Sequence, residues 1–166
     1  MIPFRMKAAI GLGSNLGDRL GNLRQAVERL RKQGSVLATS SVYETPPFGV
    51  TSQPRFLNAA LILEMEGTPP LLLSILKGIE KEMGRKKRER WGPREIDLDL
   101  LLIPDLTYED ESLKIPHPEL AKRAFVLVPL AEIAPDWIHP VLGLTIGSLA
   151  EQYQEEAETF LRITRL

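Results

Sequence analysis

Trp91-Gly92-Pro93-Arg94-Glu95-Ile96-Asp97-Leu98-Asp99-Leu100-Leu101-Leu102 alternates apolar and acidic residues from Ile96 onward. A period of two belongs to a strand, and it puts Asp97 and Asp99 on one face, roughly 6–7 Å apart along the backbone. Ile96, Leu98, Leu100 and Leu102 then cover the opposite, buried face. Two ionised carboxylates side by side on a mostly buried strand repel each other and are costly to desolvate unless a cation lies between them. Oxygen-only donors with no Cys or His beside them suit a hard ion, Mg²⁺ first and Mn²⁺ second. Upstream, Arg85-Lys86-Lys87-Arg88-Glu89-Arg90 carries five cations in six residues, and Arg94 adds another. An acid pair on a strand often binds no metal, and a basic run is more often a solvated loop. Joined by Trp91-Gly92-Pro93, the two point to a shared site for Mg²⁺ and a polyphosphate.

This strand closes a longer pattern. Met6 to Leu12 reads as a strand feeding a turn at Gly11-Leu12-Gly13-Ser14-Asn15, with Asn15 a candidate for left-handed backbone. Leu16, Leu20, Leu23, Val27 and Leu30 fall at helical spacing, with Asp18 in the first turn and Gly34 past the end. Val36 to Tyr43 and Asn58 to Met65 read as strands, separated by a stiff loop holding Pro46, Pro47 and Pro54. Pro69 and Pro70 open a helix whose buried stripe is Leu72, Ile75, Leu76, Ile79 and Met83. The acid-bearing strand follows from Ile96 to Ile103. The order β-α-β-β-α-β predicts an α+β, ferredoxin-like fold, with an antiparallel sheet and the first two helices on one face. Helices over Val126 to Ile133 and from about Ile146 would cover the other face, giving three α/β/α layers.

The 166 residues fit one domain with a substantial core, and 43% hydrophobic with 26% charged residues is ordinary for a globular protein. A net charge of −1 argues against a general nucleic-acid binder, and the lack of Cys excludes disulfides and thiol nucleophiles. The sequence has neither the apolar core of a signal peptide nor a run long enough to span a bilayer, so a cytoplasmic, membrane-free, stand-alone monomer is expected. The Walker pattern is absent. Gly11 to Gly17 has one residue too many for G-x-G-x-x-G and leads into paired strands, which sets a dinucleotide fold aside.

Five blocks carry a family resemblance: Gly11-Leu12-Gly13-Ser14-Asn15-Leu16, Tyr43-Glu44-Thr45-Pro46-Pro47-Phe48-Gly49, Phe56-Leu57-Asn58-Ala59-Ala60, Arg90 to Leu100, and Ile115-Pro116-His117. In order and spacing they resemble the 6-hydroxymethyl-7,8-dihydropterin pyrophosphokinases of folate biosynthesis, over about residues 6 to 140. The resemblance implies transfer of the β,γ-pyrophosphate of ATP to the substrate hydroxymethyl group, with release of AMP, on a ferredoxin-like α/β/α fold. The residues suit that chemistry. Asp97 and Asp99 would bridge two Mg²⁺ roughly 3.5–4 Å apart, and catalysis would be mostly positioning and electrostatics.

By resemblance, Arg85 and Arg94 bind the phosphates during transfer, with Lys87 or Arg88 as a further loop cation. Phe56 and Phe125 are implied as the faces that hold the pterin, although core packing is the ordinary role of such residues. Asn58 is implied at the ring edge, Thr45, Pro46 and Phe48 as the wall, and Trp91 as the cover. For ATP the resemblance adds Lys77, Glu80, Leu100, Lys114, His117 and Arg123, with Trp91 touching both ligands. Ser112, Lys114 and Pro118 depart from the commoner family pattern. His139 has no motif support and reads as structural. Two rivals fare worse. An RNA-binding module needs an RNP1 run, which is absent, and its RNA would be repelled by Asp97 and Asp99. A regulatory ligand-binding domain needs no Arg-Glu-Ile-Asp-Leu-Asp motif.

Overall fold

The computed structural model describes residues 1–46, 54–84 and 95–166. Chain order begins β1 (Phe4–Ser14), α1 (Arg19–Arg31), β2 (Ser35–Thr39), β3 (Ser41–Thr45), β4 (Phe56–Gly67), α2 (Pro69–Glu82) and β5 (Asp97–Leu102). It continues with the short strands β6 (Tyr108–Glu109) and β7 (Lys114–Ile115), then α3 (Ala124–Ile133), α4 (Ile146–Glu151), α5 (Gln154–Ala157) and β8 (Leu161–Arg165). The main sheet is antiparallel, in the order β5-β1-β4-β3-β8, with β2 pairing β4 beside β3.

Local chemistry sets the helix starts. Asp18 caps α1 by accepting from Gly21 N at 3.0 Å, one position before the helix rather than within its first turn. Thr68 caps α2 through Leu71 N at 3.3 Å, and Pro69 occupies the first helical position, where its missing N–H costs nothing. The stripes of α1 (Leu23, Ala26, Val27, Leu30) and α2 (Leu72, Leu76, Ile79) bury against Met6, Ala8, Ile10 and Leu12 of β1. A second apolar cluster joins Ala9, Ala60, Ile62, Leu101 and Leu102 to Leu127 and Leu130 of α3 and Ile146 and Leu149 of α4. No helix among the described residues is long and apolar enough to cross a membrane.

Several boundaries differ from the sequence expectation. β1 runs on through the glycines to Ser14, and Asn15 is not left-handed; Gly17 takes the positive φ of 73°. The strand expected over Val36 to Tyr43 breaks at Ser40, which leaves the ladder to serve β4: its N–H donates to Ala60 O at 2.9 Å and its hydroxyl accepts from Ala60 N at 2.8 Å. Leu102 does not share a face with Leu98 and Leu100. A bulge pairs Ala9 with Leu102 but Ile10 with Leu100, so Leu101 is an extra residue and the alternation resets. Leu101 and Leu102 therefore pack toward α3, and Ile103 returns to the α1–α2 side. The expected last helix is shorter and divided, and the chain ends in β8, which pairs β3.

Candidate active site

Register places the acid pair against the glycines. On β1, Gly13 lies opposite both Asp97 of β5 and Asn58 of β4, and Gly11 lies opposite both Asp99 and Ala60. Residues directly opposite in antiparallel strands point to the same face. Asp97, Gly13 and Asn58 thus form one row across three strands, and Tyr43 of β3, paired with Asn58, extends it. A Cβ on Gly13 would stand 3.0 Å from Asn58 Oδ1, and one on Gly11 would stand 3.3 Å from Leu101 Cδ1. The glycines, read from sequence as a turn, instead leave a strip without side chains between the acids and Asn58.

β5 is an edge strand, and two contacts fix its outer side. Glu80 Oε2, on α2, accepts from Leu98 N at 2.8 Å, between the two aspartates. His117 N donates to Leu101 O at 2.8 Å. Here an open cleft of about 470 Å³ brings together Lys77, Glu80, Asp97, Asp99, Leu100, Lys114 and His117, all expected from the sequence as metal or nucleotide residues. Asp110 shapes its rim by accepting from Ser112 N and Leu113 N at 2.8 Å each and from the Tyr108 hydroxyl at 2.7 Å. His117 Nδ1 accepts from Glu119 N at 3.1 Å, so its proton sits on Nε2 as a donor. Burial and the Arg123 charge hold this imidazole below its ordinary pKa, against the opposing pull of Glu119 and Asp97.

Among the described residues no group of three or more His, Asp or Glu could hold a metal. Two carboxylates of oxygen donors beside an open cleft suit Mg²⁺, which commonly takes one or two protein carboxylates and completes its shell with water and substrate phosphate.

On the other side of the glycine strip lies a second group. Asn58 Nδ2 donates to Thr45 Oγ1 at 2.6 Å, and both residues are buried. One amide N–H is thereby committed to the protein, which leaves less of Asn58 for a ligand than the sequence suggested. Phe56 pairs with Thr45, Pro46 is exposed, and Phe56 and Phe125 are half-buried outside both apolar clusters. Arg123 lies 5.7 Å over the Phe125 ring while its charge also reaches His117. Phe48, Arg85, Lys87, Arg88, Trp91 and Arg94 lie outside the described residues.

Sequence reasoning missed the fastenings at the end of β1. Ser14 Oγ donates to Glu95 O at 2.5 Å and Asn22 Nδ2 donates to the same oxygen at 3.0 Å, just before the acid pair. Asn15 Nδ2 donates to Pro54 O at 3.0 Å, just before Phe56. Ser14 and Asn15 are fully buried, and two adjacent polar residues after an apolar strand were the available signal. His139 Nδ1 accepts from Val141 N and Leu142 N at 3.3 and 3.1 Å, closing the turn that follows it.

Comparison with known proteins bears on this arrangement. A family model for 7,8-dihydro-6-hydroxymethylpterin-pyrophosphokinase matches residues 9–135. The chain is 46% identical over 132 residues to a 2-amino-4-hydroxy-6-hydroxymethyldihydropteridine pyrophosphokinase of Aquifex aeolicus, covering 80% of this chain and 82% of the relative. It is 48% identical over 134 residues to the enzyme of that name from Methylorubrum extorquens, covering 80% and 85%. Among solved structures it resembles the Plasmodium falciparum HPPK-DHPS A437G chain crystallised with pteroate, with TM-score 0.74 at 16% identity, covering 96% of this chain and 47% of that one. That likeness supports the fold, and the chain spans about half the length of the solved one. On the family match and these identities, the chain belongs to the 7,8-dihydro-6-hydroxymethylpterin-pyrophosphokinase family and is a pyrophosphokinase.

Proposed function

We propose that the chain transfers the β,γ-pyrophosphate of ATP to the hydroxymethyl group of 6-hydroxymethyl-7,8-dihydropterin, releasing AMP, in folate biosynthesis. The observation that carries this reading is the row Asp97–Gly13–Asn58. Neighbouring strands lie about 4.8 Å apart, so the acid and the amide stand about 10 Å from each other across a bare strip. Asp97 and Asp99 face the nucleotide cleft on one side, and Thr45 and Asn58 offer a polar edge for a heterocycle on the other. A phosphate chain reaching over the strip would meet a hydroxymethyl group from the far side, which is the in-line geometry that phosphoryl-type transfer needs.

In this reading Asp97 and Asp99 would hold two Mg²⁺, which would supply positive charge to screen the triphosphate. Lys77, Lys114, His117 and Arg123 bind the nucleotide, with His117 donating from Nε2. Leu100 lines its cleft, and Glu80 steadies the acid strand. Arg85 and Arg94, with Lys87 or Arg88, stabilise charge on the transferring group. Phe56 and Phe125 hold the pterin faces, Asn58, Thr45, Pro46 and Phe48 its edge, and Trp91 covers it. The fold is read as ferredoxin-like in three α/β/α layers, supported by the strand order and by apolar clusters that join α1 and α2, and α3 and α4, to the sheet. The same reading takes residues 1–166 as one domain, a cytoplasmic monomer without a nucleic-acid or membrane partner.

The test is AMP formation from ATP, dependent on Mg²⁺ and on added hydroxymethyldihydropterin, with phosphorus NMR to identify the product. Transfer of a single phosphate, or AMP release without the pterin, would refute it.

A further inference from the structure

We propose that Glu132 is a positioning residue for the pterin, acting with Tyr43 and Arg162 to set the spacing between the two halves of its site. The proposal rests on the reading of Thr45, Asn58 and Phe125 as pterin residues.

Glu132 lies on α3, seven residues after Phe125, and positions seven apart on a helix lie on one side. Its carboxylate ties α3 to β3. Oε1 accepts from Ser41 N at 3.0 Å and from the Tyr43 hydroxyl at 2.6 Å, while Oε2 accepts from Ser41 N at 3.1 Å and from the Ser41 hydroxyl at 2.9 Å. Tyr43 is itself in the active-site row, opposite Asn58, and Thr45 lies two residues further along the same strand face. One half of the site (Thr45 and Asn58) is therefore built on β3 and β4, the other (Phe125) on α3, and Glu132 joins them.

The third member comes from the end of the chain. Arg162 of β8 donates to the Tyr43 hydroxyl at 3.0 Å, and its guanidinium lies 5.4 Å over the Tyr43 ring. Arg162 stands outside residues 9–135, the part that the family model matches. β8 thus brings a positive charge near the Glu132 carboxylate and holds the Tyr43 ring. A contact that merely stabilised the fold would also involve these atoms. The difference lies in what its loss does: among the described residues its hydrogen bonds join α3, β3 and β8 and none reaches β5 or α2, so of the nucleotide residues only Arg123, at the start of α3, shares an element with it.

Glu132→Ala is expected to weaken binding of 6-hydroxymethylpterin by about tenfold in the presence of a non-hydrolysable ATP analogue, and to leave analogue binding to the free protein within about twofold. Tyr43→Phe, which removes one hydroxyl and keeps the ring, should weaken the pterin by a smaller factor. Glu132→Gln, which retains one acceptor oxygen, should restore part of the loss, and the Glu132→Gln and Tyr43→Phe effects should be non-additive because they share a bond. Pterin binding by the unaltered protein tests the functional reading by itself. Unchanged pterin affinity in folded Glu132→Ala or in Tyr43→Phe, or an equal loss for both ligands, overturns the positioning role alone.

Discussion

Replacing Gly13 by Ala asks whether the bare strip matters. Two effects oppose each other. A Gly→Ala change reduces the freedom of the unfolded chain and would stabilise the protein by about 0.4–1 kcal/mol where the new methyl fits. At Gly13 it does not fit, because the added Cβ would stand 3.0 Å from Asn58 Oδ1. Asn58 cannot easily retreat, since its Nδ2 is held by Thr45 at 2.6 Å and both residues are buried. Displacing the amide exposes a buried donor to no partner, at about 1–3 kcal/mol. The clash wins, with a net loss on the order of 1–2 kcal/mol. A similar loss in ligand alignment corresponds to about tenfold in pterin affinity. Gly11→Ala is the control: its Cβ would stand 3.3 Å from Leu101 Cδ1, the end of a side chain that can turn, and it faces Asp99 rather than Asn58. Its effect should be smaller in stability and should fall on the Mg²⁺ requirement. Urea unfolding and calorimetric titration of pterin with an ATP analogue measure both. If Gly13→Ala binds pterin as tightly as the unaltered protein, or if the two variants act alike on both ligands, the strip is not a ligand track.

Asp97→Ala and Asp99→Ala should abolish most AMP formation while stability holds or rises, because each relieves like-charge repulsion; near-normal turnover at ordinary Mg²⁺ would remove them from the metal site. Arg85→Ala and Arg94→Ala should slow single-turnover transfer by about 10²–10³, and a change confined to ATP affinity would make them ground-state ligands. Glu80→Ala removes the acceptor of Leu98 N and should raise the Mg²⁺ concentration needed for half-maximal rate, whereas Glu80→Gln, which keeps an oxygen, should not; equal behaviour of the two would mean that Glu80 does not steady the strand. His117 and His139 both lie below the ordinary pKa of 6.5, chiefly through burial. The unfolded chain then takes up protons that the folded protein resists, so stability is full above about 6.5 and is lost as pH falls through the depressed folded values. Urea midpoints between pH 7.5 and 5, at about half-unit steps, should fall less steeply in His117→Asn/His139→Asn than in the unaltered protein, and equal slopes would refute the linkage.

What the sequence made legible was local or periodic. Alternation at Ile96 to Leu100 was enough to find the acid strand and its faces, and Pro69-Pro70 with a five-residue stripe was enough for α2. What escaped depended on a partner distant in the chain. The Leu101 bulge exists because β1 and β5 pair out of step near Ala9, and nothing within Leu100-Leu101-Leu102 announces it. Ser40 breaks its strand to satisfy Ala60, twenty residues away. β8 went unread because Leu161-Arg162-Ile163-Thr164-Arg165 is short and its apolar side chains stay largely exposed, and its order comes from β3. The site divides in the same way. The metal and nucleotide residues carry motif signals, whereas Ser14, Asn22 and Glu132 act through contacts with residues such as Glu95, Ser41 and Tyr43, most of them distant in the chain.

The position of β5 gives these contacts a common logic. An edge strand leaves a row of unpaired N–H and C=O groups, which invites pairing with another chain and lets the strand shift. Here one outer N–H, that of Leu98, is taken by Glu80, and one outer carbonyl, that of Leu101, is taken by His117. Those two residues also line the cleft beside Asp97 and Asp99. The contacts that blunt the edge therefore build the nucleotide side of the site, and they do so without crossing the face that carries the acids. An interior strand could not serve, because neighbours on both sides would occupy the space where the phosphate chain must lie. On the inner side, β1 must pass close to the acids without filling the gap to Asn58, and Gly11 and Gly13 alone satisfy that demand. The acid pair at the edge, the side-chain caps on its outer rim and the glycines on its inner neighbour are thus three consequences of one requirement: a polyanion has to lie against the end of a sheet and reach across it.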